Sequence, residues 1–450
     1  MTEPDTGARH LWHPFTQMRA FFDEDPPSIV RGDGCFLWDD RGRKYFDGIS
    51  SLWCNVHGHR RREIDDAIRA QLDRVAHTTL LGLRSPLADD LARRLAGIAP
   101  PGLRWTFFSD SGSAAVEIAL KIAFQYWRNR GEVARTLFVT LGQAYHGDTI
   151  GSVSLGGIDL FHSTFHPLLF DCIRIPAPHC RRCASGLRPA DCDLACAAKV
   201  ERVLSEHRGR VAAVVLEPLV QGAAGIIVHP NGYLARVREA CDRHETLLVC
   251  DEVATGFGRT GRMFACEHES VSPDVLCLAK GLSGGYLPLA ATLTTERVFD
   301  AFLGEHHEGR HFFHGHTFTG NALACAAAHA SLDVFERDRV IASLPLKVSR
   351  LAAGLAPLRD HPHVFEVRQI GLMAGVELSE DPAADAPYAP KLRMGHRVIM
   401  AARRRGVILR PLGDVVVLMP PLAATEAEID ELCRVTVASI EEATRTGHDP

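Results

Sequence analysis

The chain has 450 residues, 46% of them hydrophobic, and its 50 Lys and Arg against 55 Asp and Glu leave a formal net charge of -5. This balance describes a soluble globular protein long enough for two domains, and it offers no basic footprint for nucleic acid. The opening MTEPDTGARHLWHPF has no basic stretch followed by an apolar one, and no apolar run approaches the length of a membrane span, so a cytoplasmic protein with no membrane partner is expected. Of the 13 cysteines, most sit singly inside apolar runs (Cys250, Cys277, Cys325), where a thiol acts as a small hydrophobe; they suggest a reducing compartment.

In chain order, HLWHPFTQM (residues 10–18) lacks helical or strand periodicity and predicts an ordered loop packed on something else. GCFLWDDRGRKYFDGIS gives two alternating strand-like runs joined by a turn from Asp39 to Gly42, and SLWCNVHGHRRREIDDAIRAQL leads into a helix. Residues 106–129 predict strand, turn and helix: Ser109 to Ser113 supply caps, and Ile118, Ile122 and Tyr126 recur at helical spacing. A helix amino terminus presents unpaired N–H groups and a positive dipole end, which makes Gly112 and Ser113 candidates for holding a phosphate. Residues 136–157 give another strand and then AYHGDT, a turn that exposes Tyr145 for stacking on a flat ligand.

Between residues 176 and 199, Cys180, Cys183, Cys192 and Cys196 are spaced C-x2-C-x8-C-x3-C. Four clustered thiols can hold zinc or an iron–sulfur cluster, but the middle gap is short, and the expectation is a surface insertion of reduced thiols without a metal. Residues 211–244 supply a buried strand ending at Glu217, a glycine-rich loop and a helix. The next two apolar runs, Leu247 to Cys250 and Val275 to Ala279, read as buried parallel strands, and each ends abruptly in a charge, Asp251 and Lys280. In open α/β sheets the ligand lies outside the carboxyl ends of the strands, so adjacent strands of this kind aim a carboxylate and an amine into one crevice. Pyridoxal 5'-phosphate requires that pair: the amine bonds to its aldehyde carbon, and the carboxylate keeps its pyridine nitrogen protonated so that the ring accepts electrons. A strand-end salt bridge is the alternative use of the same two residues.

His314 to Asn321 predicts a turn feeding an alanine-rich helix, with Thr317 a second phosphate candidate. From about residue 335 the pattern becomes α+β. A helix near Lys347 to Leu355 is followed by strands VFEVRQIG and LMAGVEL, a helix through Lys391 to Arg405, strands GVILRPLG and VVVLMPPL, and a last helix opened by the T-x-x-E box Thr425 to Glu428. Arg410, at the end of GVILRP, offers a bidentate guanidinium to a substrate carboxylate. The expected division is residues 1–74 as an amino-terminal arm and part of a small domain, residues 75–334 as a large cofactor-binding domain, and residues 335–450 as the rest of a discontinuous α+β small domain.

Together these segments resemble the class III aminotransferases of fold type I, α/β enzymes with a mostly parallel central sheet. LWHPFTQM resembles the amino-terminal signature of their 7,8-diaminononanoate-forming branch in biotin synthesis. The resemblance implies a pyridoxal 5'-phosphate-dependent transaminase in which Lys280 carries the cofactor and moves protons, and Asp251 holds the ring nitrogen. SGSAAVE, beginning at Ser111, matches the family's phosphate loop, so Ser111, Gly112 and Ser113 are implied phosphate ligands, with Val253 against the cofactor face and Tyr145 against cofactor and substrate. His146 and Gly147 would shape the turn and Asp148 support it; GFGRTG also resembles a family loop. Phe15 is implied to reach the substrate. Leu52 and Trp53 occupy the places of an aromatic pair, of which the first is not aromatic here. Glu217 stands where the family has a glutamate able to pair with the carboxylate-binding arginine, here Arg410. Gly315, His316 and Thr317 would come from the neighbouring subunit, implying a homodimer; His316 replaces a common proline. Leu412 and Gly413 replace aromatic and basic residues frequent in members that use S-adenosylmethionine and bring the sequence nearer to those whose donor is L-lysine, so either S-adenosylmethionine or L-lysine is the expected amino donor. The alternative within the family is an ω-amino-acid or diamine transaminase outside biotin synthesis.

Overall fold

The computed structural model describes residues 10–445; the start of the chain up to residue 9, including most of the stretch read above for a leader, and the last five residues lie outside the described residues. Three short antiparallel strands open the fold, β1 (Ile29–Asp33), β2 (Phe36–Asp39) and β3 (Lys44–Asp47). Then come β4 (Leu103–Ser109), β5 (Leu137–Leu141), β6 (Ile173–Ile175) and β7 (Val211–Leu216), a small hairpin of β8 (Val220–Gln221) and β9 (Ile227–Val228), and β10 (Leu247–Asp251), β11 (Val275–Leu278) and β12 (Ala290–Thr295). The last third adds β13 (Val364–Ile370), β14 (Met373–Leu378), β15 (Val407–Ile408), β16 (Arg410–Leu412) and β17 (Val415–Leu418).

A seven-stranded sheet in the order β4-β12-β11-β10-β7-β5-β6 forms the centre. β12 pairs antiparallel with both neighbours, whereas the contacts among β11, β10, β7, β5 and β6 are parallel. Parallel sheets are covered on both faces, which is why β7, β10 and β11 are buried along their whole length. Alternate residues serve opposite faces. Ala213, Val215, Leu247, Val249, Val275 and Cys277 pack with the helix Gly112–Asn129, while Val214, Leu216, Leu248, Cys250, Leu276 and Leu278 join the core on the other side, which contains the helix Tyr233–Arg243.

Two smaller sheets flank this layer. One joins distant parts of the chain, because β15 pairs parallel with β3, Val407 opposite Phe46 and Ile408 opposite Asp47. The other runs β13-β14-β17-β16. The sequence predicts a single strand through GVILRPLG, but the chain changes sheets at buried Leu409, so that β15 and β16 belong to different sheets. Pro411 lies in β16, an edge strand, where the missing N–H costs little. The last helix is capped as the T-x-x-E box predicts: the Thr425 N–H donates to Glu428 Oε2 at 2.7 Å, and the Glu428 N–H to Thr425 Oγ1 at 3.3 Å. One helical stretch, Val340–Asp360, is long and apolar enough to cross a membrane by composition, unlike the expectation above; its Leu344, Leu351 and Leu355 are buried in the main core.

Arg259, in GFGRTG, ties these parts together. It is buried, and its guanidinium donates to the carbonyls of Pro420 at 2.6 Å and Asn55 at 3.0 Å. Burial pulls its pKa down to about 10, against smaller opposing effects from Cys54 and Asp47. Arg259→Ala would leave both carbonyls buried without a donor as well as a void, so thermal unfolding of this variant should show a loss on the order of 3 kcal/mol.

Candidate active site

The carboxyl ends of β7, β10 and β11 lie side by side, because Cys250 pairs with Leu216 and Asp251 with Cys277. Glu217 follows β7 directly, Asp251 ends β10, and Lys280 follows β11 by two residues. All three line one cavity of about 730 Å³, together with Ser111, Gly112, Ser113, Tyr145, Val253 and Arg410. The fold thus brings these expected residues to one cavity, and Phe15, Leu52 and Trp53 line it too.

Lys280 is held in a left-handed conformation, φ 46°, at the start of a tight turn. A non-glycine residue there is strained, and the neighbouring Gly281 supports it by leaving room: a Cβ at 281 would come 2.7 Å from Phe257 Cβ. Burial lowers the pKa of Lys280, with the charges of Asp251 and Glu217 acting in the opposite direction. Its Nζ lies 5.0 Å from the centre of the Trp53 ring. The amine therefore reaches its neutral, nucleophilic form more readily than a solvated lysine.

Asp251 is fixed on both oxygens. Oδ2 lies 2.7 Å from His146 Nδ1, and Oδ1 accepts the Val253 N–H at 3.1 Å. His146 is fully enclosed; burial opposes its charge, but the hydrogen bond and charge of Asp251 prevail and raise its pKa. The sequence reading gave His146 only the shaping of a turn, and its service to Asp251 follows from the tertiary fold. Glu217 accepts the N–H groups of Tyr145 at 3.2 Å and Gly222 at 2.9 Å, and burial, resisted by His146 and assisted by Asp251, pushes its pKa up to about 7.

The phosphate candidates stand at the start of an 18-residue helix, where Ser111 Oγ caps the Ala114 N–H at 3.2 Å. Ser113 Oγ lies 2.8 Å from Thr149 Oγ1, and Glu117 Oε1 accepts the Gly151 N–H at 2.6 Å, so the loop after Tyr145 is bound to this helix. At Gly112 a Cβ would lie 2.5 Å from Val253 Cγ1. This close approach packs the residue expected against a cofactor face directly beside the helix terminus. A cradle of helix N–H groups, a buried carboxylate and a buried amine within one cavity fits pyridoxal 5'-phosphate.

The aromatic side of the cavity includes Phe161, which sequence reasoning missed since nothing in IDLFHSTFH marks it out. Phe161 meets Phe15 edge-on at 5.4 Å and Tyr145 at 6.3 Å. The Tyr145 hydroxyl donates to Asp148 at 2.8 Å; burial and then Asp148 raise its pKa. Arg410 stands 5.9 Å from the Phe15 ring centre. Burial lowers its pKa with only Tyr145 opposing, a setting in which an incoming carboxylate is welcome.

Trp53 owes its position to a feature absent from the sequence reading, which expected the chain here to run on towards a helix. Ser50, Ser51, Leu52 and Trp53 all have positive φ, from 47° to 72°, forming one left-handed turn. Each such residue costs about 1–2 kcal/mol. Buried Asp47 holds the turn by accepting from the Ser51 N–H at 2.9 Å and the Ser51 hydroxyl at 2.7 Å, while the Ser50 hydroxyl donates to the Met419 carbonyl at 2.6 Å.

Gly315, His316 and Thr317 are the exceptions among the expected residues: none lines this chain's own cavity. His316 Nδ1 lies 3.2 Å from Asp110 Oδ2, and Gly315 and Thr317 are exposed.

A mostly parallel sheet that delivers a buried lysine and aspartate beside a glycine-serine helix terminus defines a pyridoxal 5'-phosphate enzyme of fold type I. The chain belongs to the class III aminotransferases, since the family described as Aminotransferase class-III matches residues 23–440. It is 58% identical to the adenosylmethionine-8-amino-7-oxononanoate aminotransferase of Nitratidesulfovibrio vulgaris (strain Hildenborough), over 98% of this chain and 82% of that one. The crystal structure of the enzyme of that name from Methanocaldococcus jannaschii superposes with TM-score 0.93 at 42% identity, covering 97% of this chain and 98% of that one. An amine transaminase from an uncultivated Pseudomonas species, solved with pyridoxal phosphate bound, matches at 38% identity and TM-score 0.91, over 96% and 99% of the two chains.

The raised pKa of Glu217 has a measurable consequence. A carboxyl that titrates near 7 when folded and near 4.5 when unfolded favours the folded state at low pH, and this contribution is lost as pH rises through about 7. Melting temperatures recorded from pH 5.5 to 8.5 should therefore show Glu217→Gln gaining on the wild type as pH rises, by several degrees across that window.

Proposed function

We propose that this transaminase converts 8-amino-7-oxononanoate to 7,8-diaminononanoate in biotin synthesis. The observation that carries the reading is the near full-length similarity to relatives named for that substrate, joined to the placement of Phe15, from LWHPFTQM, in the cavity that also holds Lys280 and Arg410. The substrate is a long apolar chain with a carboxylate at one end and an amino ketone at the other. Arg410 suits the carboxylate, and Phe15, Leu52, Trp53 and Phe161 suit the chain. When bound, pyridoxal 5'-phosphate supplies an aldehyde that takes up an amine and a ring that accepts electrons from the adjacent carbon. The amine of Lys280 would take the proton from the donor's amine-bearing carbon and deliver a proton to the cofactor's former aldehyde carbon, on the other side of the nitrogen, and its burial favours its work as a base. Asp251, steadied by His146, would keep a proton at the ring nitrogen, and the Ser111 to Ser113 terminus would hold the phosphate.

The donor named for the relatives is adenosylmethionine, and the cavity volume accommodates a large donor. Leu52 and Leu412 favour a second reading, L-lysine, because they line the cavity where aromatic or charged side chains would grip an adenosine. The domain division at residues 74 and 335 is proposed on the pairing of β3 with β15, which unites the two ends of the chain in one sheet. A homodimer with shared sites is supported by the exposure of Thr317 and Gly315 beside Phe313 and Phe318, which are 79% and 56% exposed. A cytoplasmic enzyme fits the thiols buried in its strands.

Three experiments test this reading. Holoenzyme mixed separately with S-adenosylmethionine and with L-lysine should lose its visible cofactor absorbance with the productive donor and then aminate 8-amino-7-oxononanoate; bleaching by neither donor would shift the assignment to an ω-transaminase. Lys280→Ala should lower turnover by roughly a thousandfold or more. Co-expression of Lys280→Ala chains with Thr317→Asp chains should restore activity through hybrid dimers, each with one intact site; if Thr317 serves its own chain's site, the hybrids stay inactive.

A further inference from the structure

The loop between β6 and the helix Ala195–Glu206 carries Cys180, Cys183, Cys192 and Cys196, and the fold brings all four to one small cavity of about 20 Å³, lined also by His179 and Lys199. The two pairs reach it from different local structures. Cys183, three residues after Cys180, opens a tight turn in which the Gly186 N–H donates to the Cys183 carbonyl at 2.9 Å, and Cys192 and Cys196 bracket the amino terminus of the helix, where the Ala195 N–H donates to the Cys192 carbonyl at 2.8 Å.

Both pair spacings, x2 and x3, fall within the range of structural zinc sites. Among the described residues no three His, Cys, Asp or Glu side chains already stand in bonding geometry around one point, so the sulfurs must turn inward on loading.

From this convergence we propose that Cys180, Cys183, Cys192 and Cys196 form a tetrahedral structural site for Zn²⁺. Its position gives it a purpose separate from transamination. His179 Nε2 lies 3.0 Å from Glu366 Oε2, and Arg182 pairs with Asp385 at 2.6 Å and with Glu377 at 2.7 Å, so the residues beside the first cysteine pair grip β13, β14 and the turn after them. Glu366 in turn accepts from Arg368 at 2.8 Å, and Arg368 donates to the Gly225 carbonyl at 2.8 Å, in the loop that contributes Ala223 to the active-site cavity. Zinc would clamp the far edge of the large sheet to the small domain.

The test begins with elemental analysis of the purified holoenzyme, which should contain about one zinc per chain. X-ray absorption at the zinc edge should show four sulfur neighbours at about 2.3 Å. The Cys180→Ser, Cys192→Ser double variant should lose the zinc and melt at lower temperature, yet its cofactor should still bleach with the amino donor at close to the wild-type rate. If that variant does not fold, the absorption spectrum of the wild type still decides. Wild-type protein without metal, zinc bound by nitrogen and oxygen only, iron with inorganic sulfide in its place, or disulfides among the four cysteines would each overturn the proposal.

Discussion

The site rests on one register. Parallel strands hydrogen-bonded in step must end at a common edge, and β7, β10 and β11 do so with Glu217, Asp251 and Lys280 at or just beyond their ends. A slip of one residue between β10 and β11 would turn their side chains to opposite faces and separate carboxylate from amine. The complete burial of these strands prevents such a slip, because Leu247, Val249 and Val275 fill one face and Leu248, Cys250 and Leu276 the other. Hydrophobic packing thereby specifies the geometry of a polar site without contributing an atom to it.

The same edge gathers groups that would be unfavourable elsewhere. A half-buried lysine shares the enclosure with a buried aspartate, glutamate and histidine, and each perturbs the others: desolvation drives Lys280 and Glu217 towards neutrality, while Asp251 draws His146 towards charge. Backbone strain accumulates beside them, at Lys280 and in the left-handed turn Ser50 to Trp53. The strain is sustained by Asp47 and by contacts to Met419, and its result is an indole set against the lysine amine.

Much of this was legible in the sequence because the signals are local. Apolar runs ending in Asp251 and Lys280 state both a strand and its ligand-facing end, and the cap at Ser111 states the start of a helix. The fold class follows from the alternation of such runs with helical spacing. Other features have no local signature. Nothing in SSLW distinguishes a left-handed turn from the approach to a helix, since its hydrogen-bond partners Asp47 and Met419 include one more than 360 residues away in the chain. His146 appears as a turn residue until the fold carries it to Asp251, 105 positions later. The split of GVILRPLG into two sheets is likewise decided by which neighbours each half meets, and Phe161 enters the cavity from a segment of short helical turns without periodicity.

The β3–β15 pairing also makes the two ends of the chain depend on each other. Ser50 takes its place only against the Met419 carbonyl, Gly48 only against Met419 N–H, and β3 gains its parallel neighbour only when residues 407 and 408 exist. All seven strands of the central sheet, by contrast, lie between residues 103 and 295, although the core on one of its faces also takes in Cys325, Leu332, Phe335 and Leu344 from later in the chain. Trp53, although early in the chain, follows a turn whose Ser50 is held by Met419 near the other end. The strands that carry Asp251 and Lys280 thus lie within one continuous stretch of chain, whereas the chamber around Trp53 is closed by residues from both of its ends.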